Sequence, residues 1–193
     1  MKPLSLITTP LLVFACTTFL AQTPVPTPAP LQGDLASHSN VPVAKSADVN
    51  SIDAIITALY SVISGPKGQA RDWDRMRSLF LPSARLIPAR AAKDSPHADA
   101  IVLTIDDYIT RSRGNMTANG FFERGIHNEV QQFGNIVHVW STYESRYNAD
   151  DATPFARGIN SIQLLKDGDR YWVVNILWDS ESPNKPIPAN YLP

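Results

Sequence analysis

With 193 residues, 44% of them hydrophobic and 18% charged, the chain has enough apolar surface for one cooperative core. A net charge of −1 excludes the basic field that nucleic acid requires and leaves no polybasic membrane anchor. Met1-Lys2 followed by the apolar stretch Leu4 to Ala21 reads as a signal peptide cut after Ala21, which predicts a periplasmic or secreted protein. Pro10 and four threonines interrupt that stretch, so no stable membrane span is expected. Cleavage would remove Cys16, the only cysteine, and with it any disulfide or thiol chemistry. The alternative is a lipid anchor at Cys16, since Leu12-Val13-Phe14-Ala15-Cys16 loosely resembles a lipobox, with Phe14 bulky where a small residue is preferred.

Residues 22–47 are Pro-, Thr-, Ala- and Ser-rich, with Pro24, Pro26, Pro28 and Pro30 together, and read as a disordered tether. A globular domain is expected over 48–182. Ser51 can cap a helix whose stripe is Ile52, Ile55, Ile56, Leu59, Tyr60 and Ile63, ending at Gly65-Pro66. Asp72 can cap a short helix through Trp73, Met76, Leu79 and Phe80, stopped before Pro82. Short strands follow at Ala84 to Pro88 and Ile101 to Leu103, separated by a polar loop over Ala91 to Ala98. Thr104 caps a third helix through Ile105, Tyr108 and Ile109, ending before Gly114. Four long strands close the domain, near Phe121–Gln132, Asn135–Tyr147, Phe155–Lys166 and Asp169–Asp179. Residues 183–193 form a proline-rich surface tail.

Placing two-residue turns at Phe133-Gly134 and Asp167-Gly168 fixes a register. In the first hairpin, Val130, Asn128, Ile126, Arg124 and Phe122 then share the inward face with Val137, Val139, Ser141, Tyr143 and Ser145. Arg124, Asn128 and Tyr143 become candidates to line a cavity. Glu129 falls opposite His138, with His127 nearby, a weak zinc arrangement that matches no metal signature. In the second hairpin Arg157 faces Trp178, Ile159 faces Ile176 and Ser161 faces Val174. Arg157, Asn160, Ser161 and Gln163 are polar in an apolar strand and can hydrogen-bond a ligand, with Arg157 stacking on Trp178. Ser161 lacks the nucleophile-elbow sequence of a hydrolase. Asp72 and Asp74 read as helix-capping charges before they read as a general base. Apolar residues on both sheet faces predict a homodimer. Asn115-Met116-Thr117 fits a glycosylation sequon.

Asp72-Trp73-Asp74 opening a helix before Leu79-Phe80-Leu81-Pro82, and the closing run Asp167-Gly168-Asp169-Arg170-Tyr171-Trp172-Val173-Val174, carry a resemblance. So does Ala156-Arg157-Gly158-Ile159-Asn160-Ser161-Ile162-Gln163-Leu164. The chain resembles the nuclear transport factor 2-like, or SnoaL-like, superfamily, in an exported bacterial branch. That resemblance implies an α+β, cone-shaped fold with a curved antiparallel sheet wrapped around N-terminal helices, a pocket at the open end, and frequent dimers. It also implies ketosteroid isomerase-like, dehydratase-like or cyclase-like chemistry, or plain binding, since fold does not fix function. Tyr60, Tyr143 and Asp74 are of the types such an isomerase uses, but no motif assigns them those roles.

The reading that follows is an exported, cofactor-free SnoaL-like binding module for a small apolar molecule. Its ligand-binding residues are Tyr60, Arg124, Asn128, Tyr143, Arg157, Ser161 and Trp178, with no metal. The alternatives are a small isomerase, dehydratase or cyclase using general acid–base catalysis, or a protein-interaction domain. The interior of the cone discriminates. A lone carboxylate beside a tyrosine with a raised pKa favours an enzyme. A cavity with only Arg, Asn and Ser favours binding, and the absence of a cavity favours interaction.

Overall fold

A computed structural model describes residues 41–91 and 97–193. The signal peptide, Cys16, the tether as far as residue 40 and most of the polar loop over Ala91 to Ala98 lie outside the described residues. After a single helical turn, α1 (Ser46–Val49), comes α2 (Ile52–Ile63), whose first turn is held by Ser51 accepting a hydrogen bond from the Ala54 amide at 3.1 Å. α3 (Trp73–Leu79) starts at Asp72, which accepts from the Arg75 amide at 2.9 Å. Phe80 opens β1 (Phe80–Ala91) with no intervening loop. Pro82 ends the helix and is accommodated in an irregular stretch of strand between Phe80 and Arg85.

The second short strand, β2 (Ala98–Ala100), precedes the expected Ile101 to Leu103, and Leu103 instead makes an isolated bridge to Leu86. α4 (Ile105–Asn119) carries a full capping box between Thr104 and Asp107. It passes through Gly114, where a stop was expected, because one interior glycine costs only about 1 kcal/mol. It ends at Gly120, whose φ of 76° is favourable for glycine.

The closing strands are β3 (Phe122–Phe133), β4 (Ile136–Arg146), β5 (Ala156–Asp167) and β6 (Arg170–Ser180). With β1 and β2 they make one curved, unclosed six-stranded sheet in the order β2-β1-β6-β5-β4-β3. The sheet is mixed and not purely antiparallel, since β1 runs parallel to β6. Its inner face buries Val137, Val139, Ile162, Leu164 and Val173, and Ile55 and Leu79 of the helices join the same core with Phe80 at the start of β1. Arg71 fastens the helices without any carboxylate. Its guanidinium donates to the carbonyls of Ile63, Gly65, Gln69 and Met116, tying the end of α2 to the end of α4.

Both hairpin registers differ from the expected ones. The turns are Gly134-Asn135 and Gly168-Asp169, each with its glycine at φ 55°, so the pairing slides by two residues. A slide of two preserves the faces. A bulge inverts them, and each hairpin has one: Ile126 is left unpaired between Gly125 and His127, and Val174 between Val173 and Asn175. Before Ile126, the inward residues of β3 are therefore Glu123 and Gly125, and Arg124 turns out. After Val174, Ile176 and Trp178 turn in beside Ile162 and Asn160.

The tail returns across the outer face of the sheet. Thr142 donates to the Tyr191 carbonyl at 2.7 Å, the Tyr191 ring lies 6.0 Å from Trp140, and Ile187 is buried. Part of the face that the sequence assigns to a dimer partner is thus covered by the chain itself.

Candidate functional site

Between α2, α3, α4 and the inner face of the sheet lies a cavity of about 270 Å³. Its walls are apolar and aromatic: Tyr60 from α2, Tyr108 from α4, Phe121, Tyr143 from β4, Phe155 and Trp178 from β6. Tyr108 meets Trp178 edge to face at 6.4 Å. The polar lining consists of Glu123, Ser145 and Asn160, beside the tyrosine hydroxyls.

Glu123 reaches this wall because the Ile126 bulge reverses the start of β3. Ser64 holds its backbone, accepting from the Glu123 amide at 2.9 Å. Among the described residues the carboxylate has one hydrogen bond, from the Ser145 hydroxyl to Oε2 at 2.8 Å, and no ion pair. Burial pushes the carboxyl from its ordinary 4.5 up to about 7, against the lowering effect of Ser145.

The three tyrosines divide by how their hydroxyls are engaged. Tyr60 lies between Ser141, 2.6 Å away, and Asn160, which donates to it at 3.1 Å. Burial raises its pKa, and the hydroxyl serves as a fixed part of the wall. Gly125 makes this possible, because a Cβ there would stand 3.0 Å from the Tyr60 ring and 3.2 Å from the Ser141 hydroxyl. Tyr143 has a single partner, Ser180 at 3.0 Å, and burial pushes its pKa up to about 12. It lies so close over Gly158 that a Cβ would come within 2.6 Å of its hydroxyl. Burial also raises Tyr108, with the Glu123 charge acting in the same direction.

Of the sequence candidates, Tyr60, Tyr143, Asn160 and Trp178 line this cavity together. Asn128 and Arg124 lie in a separate, more open groove of about 650 Å³ that Tyr60 and Glu123 also line. Arg124 is on the outer face, bonded to Glu144 at 2.5 Å, where an inward position was expected. Arg157 also faces outward. It pairs with Glu181 at 2.8 Å and does not stack on Trp178. Ser161 turns out as well and shares a 3.0 Å hydrogen bond with His138. Glu129 stands across from Trp140, not His138, and lies 3.9 Å from His127; among the described residues no group of three or more metal-ligating side chains assembles. Asp72 caps α3, and Asp74 pairs with Arg77 at the surface.

The sequence reading misses Glu123 and Tyr108. Gly125 was the available signal, since a glycine inside a strand marks a bulge or a close backbone approach.

No family model and no curated protein matches the sequence. Among solved structures, the chain is similar to a nuclear transport factor 2-like protein of unknown function from Pseudomonas putida. The TM-score is 0.51 and the identity 11%, over 74% of this chain and 94% of that one. It is also similar to a protein with a cystatin-like fold from Caulobacter vibrioides, with a TM-score of 0.50 and 11% identity over 69% and 89% of the two chains. A third, from Nostoc punctiforme, also has a cystatin-like fold, with a TM-score of 0.50 and 8% identity over 68% and 90%. The fold is therefore the nuclear transport factor 2-like, cystatin-like cone, and at such identities the likeness carries the fold alone.

Proposed function

We propose that the protein is a small acid–base catalyst whose cavity takes a small, largely apolar molecule and whose Glu123 moves a proton on it. The carboxyl itself carries this reading: it shares a cavity with aromatic rings, has no ion-pair partner among the described residues and is pushed by burial up to about 7. Such a group is present in both protonation states near pH 7, as a general acid–base requires. The sequence favours a binding module, but Arg124, Arg157 and Ser161, which support that reading, lie outside the cavity.

The chemistry follows from the positions. As a carboxylate, Glu123 takes a proton from a carbon next to a ligand carbonyl, and the C–H electron pair moves onto the carbonyl oxygen. As an acid, it returns the proton to another carbon, which isomerises the ligand, or to a departing hydroxyl, which dehydrates it. Tyr143 suits the developing oxyanion, because it can accept from Ser180 and keep its own hydrogen for the ligand. This chemistry requires no cofactor.

2-Tetralone, a compact aromatic ketone with acidic α-protons, tests the reading. The protein should speed exchange of those protons with D2O, with a rate that rises with pH and levels off above about 7. Glu123→Gln should abolish the effect. Wild-type rates equal to buffer alone would return the cavity to a purely binding role.

Export and pairing complete the proposal. Val130, Phe133 and Ile136 are 47%, 83% and 63% exposed at one end of the β3–β4 hairpin and support a homodimer. The pair should hide roughly 1,200–2,000 Å². Sedimentation tests the pairing, and N-terminal sequencing from the native host tests the cleavage.

A further inference from the structure

We propose that the cavity is built for a ligand carrying a basic nitrogen on a compact ring system, and that it excludes organic anions. This names the ligand class of the same cavity and rests on the reading that a small molecule occupies it.

The charge inventory of the wall is one-sided. Glu123 is its only ionisable acid apart from the tyrosines, and none of the lining residues is a lysine, arginine or histidine. Arg124 and Arg146 line the adjoining groove that Glu123 also touches, but both are paired with Glu144, and the donors of Arg71 are taken by the carbonyls of Ile63, Gly65, Gln69 and Met116. An anion entering this space would meet the Glu123 charge at low dielectric with no counter-charge. A cation would meet the reverse.

Seven of the lining residues are aromatic, the three tyrosines, Phe80, Phe121, Phe155 and Trp178, and they share the cavity with one carboxyl. Ring faces are electronegative, so they attract a desolvated cation and repel an anion. A carboxylate among aromatic rings is the combination that recognises ammonium groups. A ligand with no donor would fill the space but leave Glu123 with only the Ser145 hydroxyl, and a neutral hydroxyl would supply a hydrogen bond without a counter-charge. An amine satisfies it: the carboxyl O–H bond breaks and an N–H bond forms on the ligand, leaving carboxylate and ammonium with no redox change. A ligand arriving already protonated reaches the same end by displacing the Glu123 proton into solvent.

Benzylamine, benzyl alcohol and benzoate share one ring and differ in charge, so titrating each by calorimetry separates the terms. Benzylamine should bind about tenfold more tightly than benzyl alcohol, and benzoate should not bind. Near pH 7 benzylamine should release a fraction of a proton per ligand, read as a dependence of the heat on buffer ionisation enthalpy. Glu123→Gln should keep benzyl alcohol binding and lose both the amine preference and the proton release. Benzoate binding as well as benzylamine would overturn the inference, as would an amine preference that survives Glu123→Gln. Benzyl alcohol binding with no amine preference would overturn the charge inference alone and leave the cavity reading standing. Failure of all three to bind would overturn both.

Discussion

Glu123 and Glu144 come from neighbouring rungs of one ladder, Glu123 opposite Ser145 and Arg124 opposite Glu144, yet they lie on opposite faces of the sheet. On the outer face Glu144 receives both Arg124 and Arg146 at 2.5 Å, and the Arg146 hydrogen bond leads in holding its carboxyl below the usual range. On the inner face Glu123 has a serine and aromatic rings, and burial drives it up to about 7. The residue type is the same and the strand spacing a single step. Partners and dielectric make one a structural anion and leave the other a buried carboxyl that holds its proton up to near neutral pH.

The largest effect should come from breaking the outer pair. Glu144→Ala leaves Arg146, whose side chain is 13% exposed, without its carboxylate. Stranding a half of a buried pair costs about 3 kcal/mol, readable as a lowered denaturant midpoint. Glu123→Gln should act in the opposite sense. The folded protein holds the Glu123 proton up to about pH 7 while the unfolded chain releases it near 4.5, so wild-type stability from this group falls as pH rises across that interval. Above it, ionising Glu123 costs roughly 3 kcal/mol, which the glutamine variant avoids. The stability difference between variant and wild type should therefore grow from pH 4.5 to 7 and then level off, while the exchange activity is lost. A flat difference across that range would mean that Glu123 is not in a low-dielectric site.

The two glutamates mark what a strand pattern can and cannot convey. The caps Ser51, Asp72 and Thr104 located three helix starts, because each places an oxygen where free amides need one. Alternation along Val137, Val139, Ser141, Tyr143 and Ser145 located the inner face of β4, and all five are buried. The hairpin turns were misplaced, but a slide of two leaves every side chain on its face. The unpaired Ile126 and Val174 did the damage. Neither has a composition that distinguishes it from its neighbours, and each reverses the strand beyond it. One reversal exchanged Arg124 for Glu123 in the cavity wall, and with it a binding chemistry for an acid–base one. The other turned Trp178 to the face opposite Arg157 and Ser161, whose own facing is set by the pairing of β5 with β4.

Tyr143→Phe probes the inner face more gently. It removes the hydroxyl bonded to Ser180 and leaves the ring over Gly158, so the stability loss should be about 1 kcal/mol. Tetralone exchange should slow by about tenfold or more, since a donor to a developing oxyanion acts mainly in the transition state. Equal activity in both proteins would remove Tyr143 from the mechanism and leave Tyr108 as the donor to test.

The smallest effect should come from Arg124→Gln, and its smallness is the sharpest test of the facing. Arg124 and Arg146 reach the same Glu144 oxygen, but the Arg124 side chain is 68% exposed. An ion pair whose cation stands mostly in water contributes at most about 1 kcal/mol, because solvent screens it and the side chain loses freedom in forming it. Arg146 is different, since its Nε also donates to the Asp151 carbonyl at 2.9 Å and holds the loop leading to Phe155. Arg146→Gln should therefore cost more stability than Arg124→Gln, and Arg124→Gln should leave tetralone exchange at the wild-type rate. Loss of exchange in Arg124→Gln with retained exchange in Glu123→Gln would require β3 to run without its bulge. The two side chains would then trade faces, and the cavity would hold a cation where the present geometry places an acid.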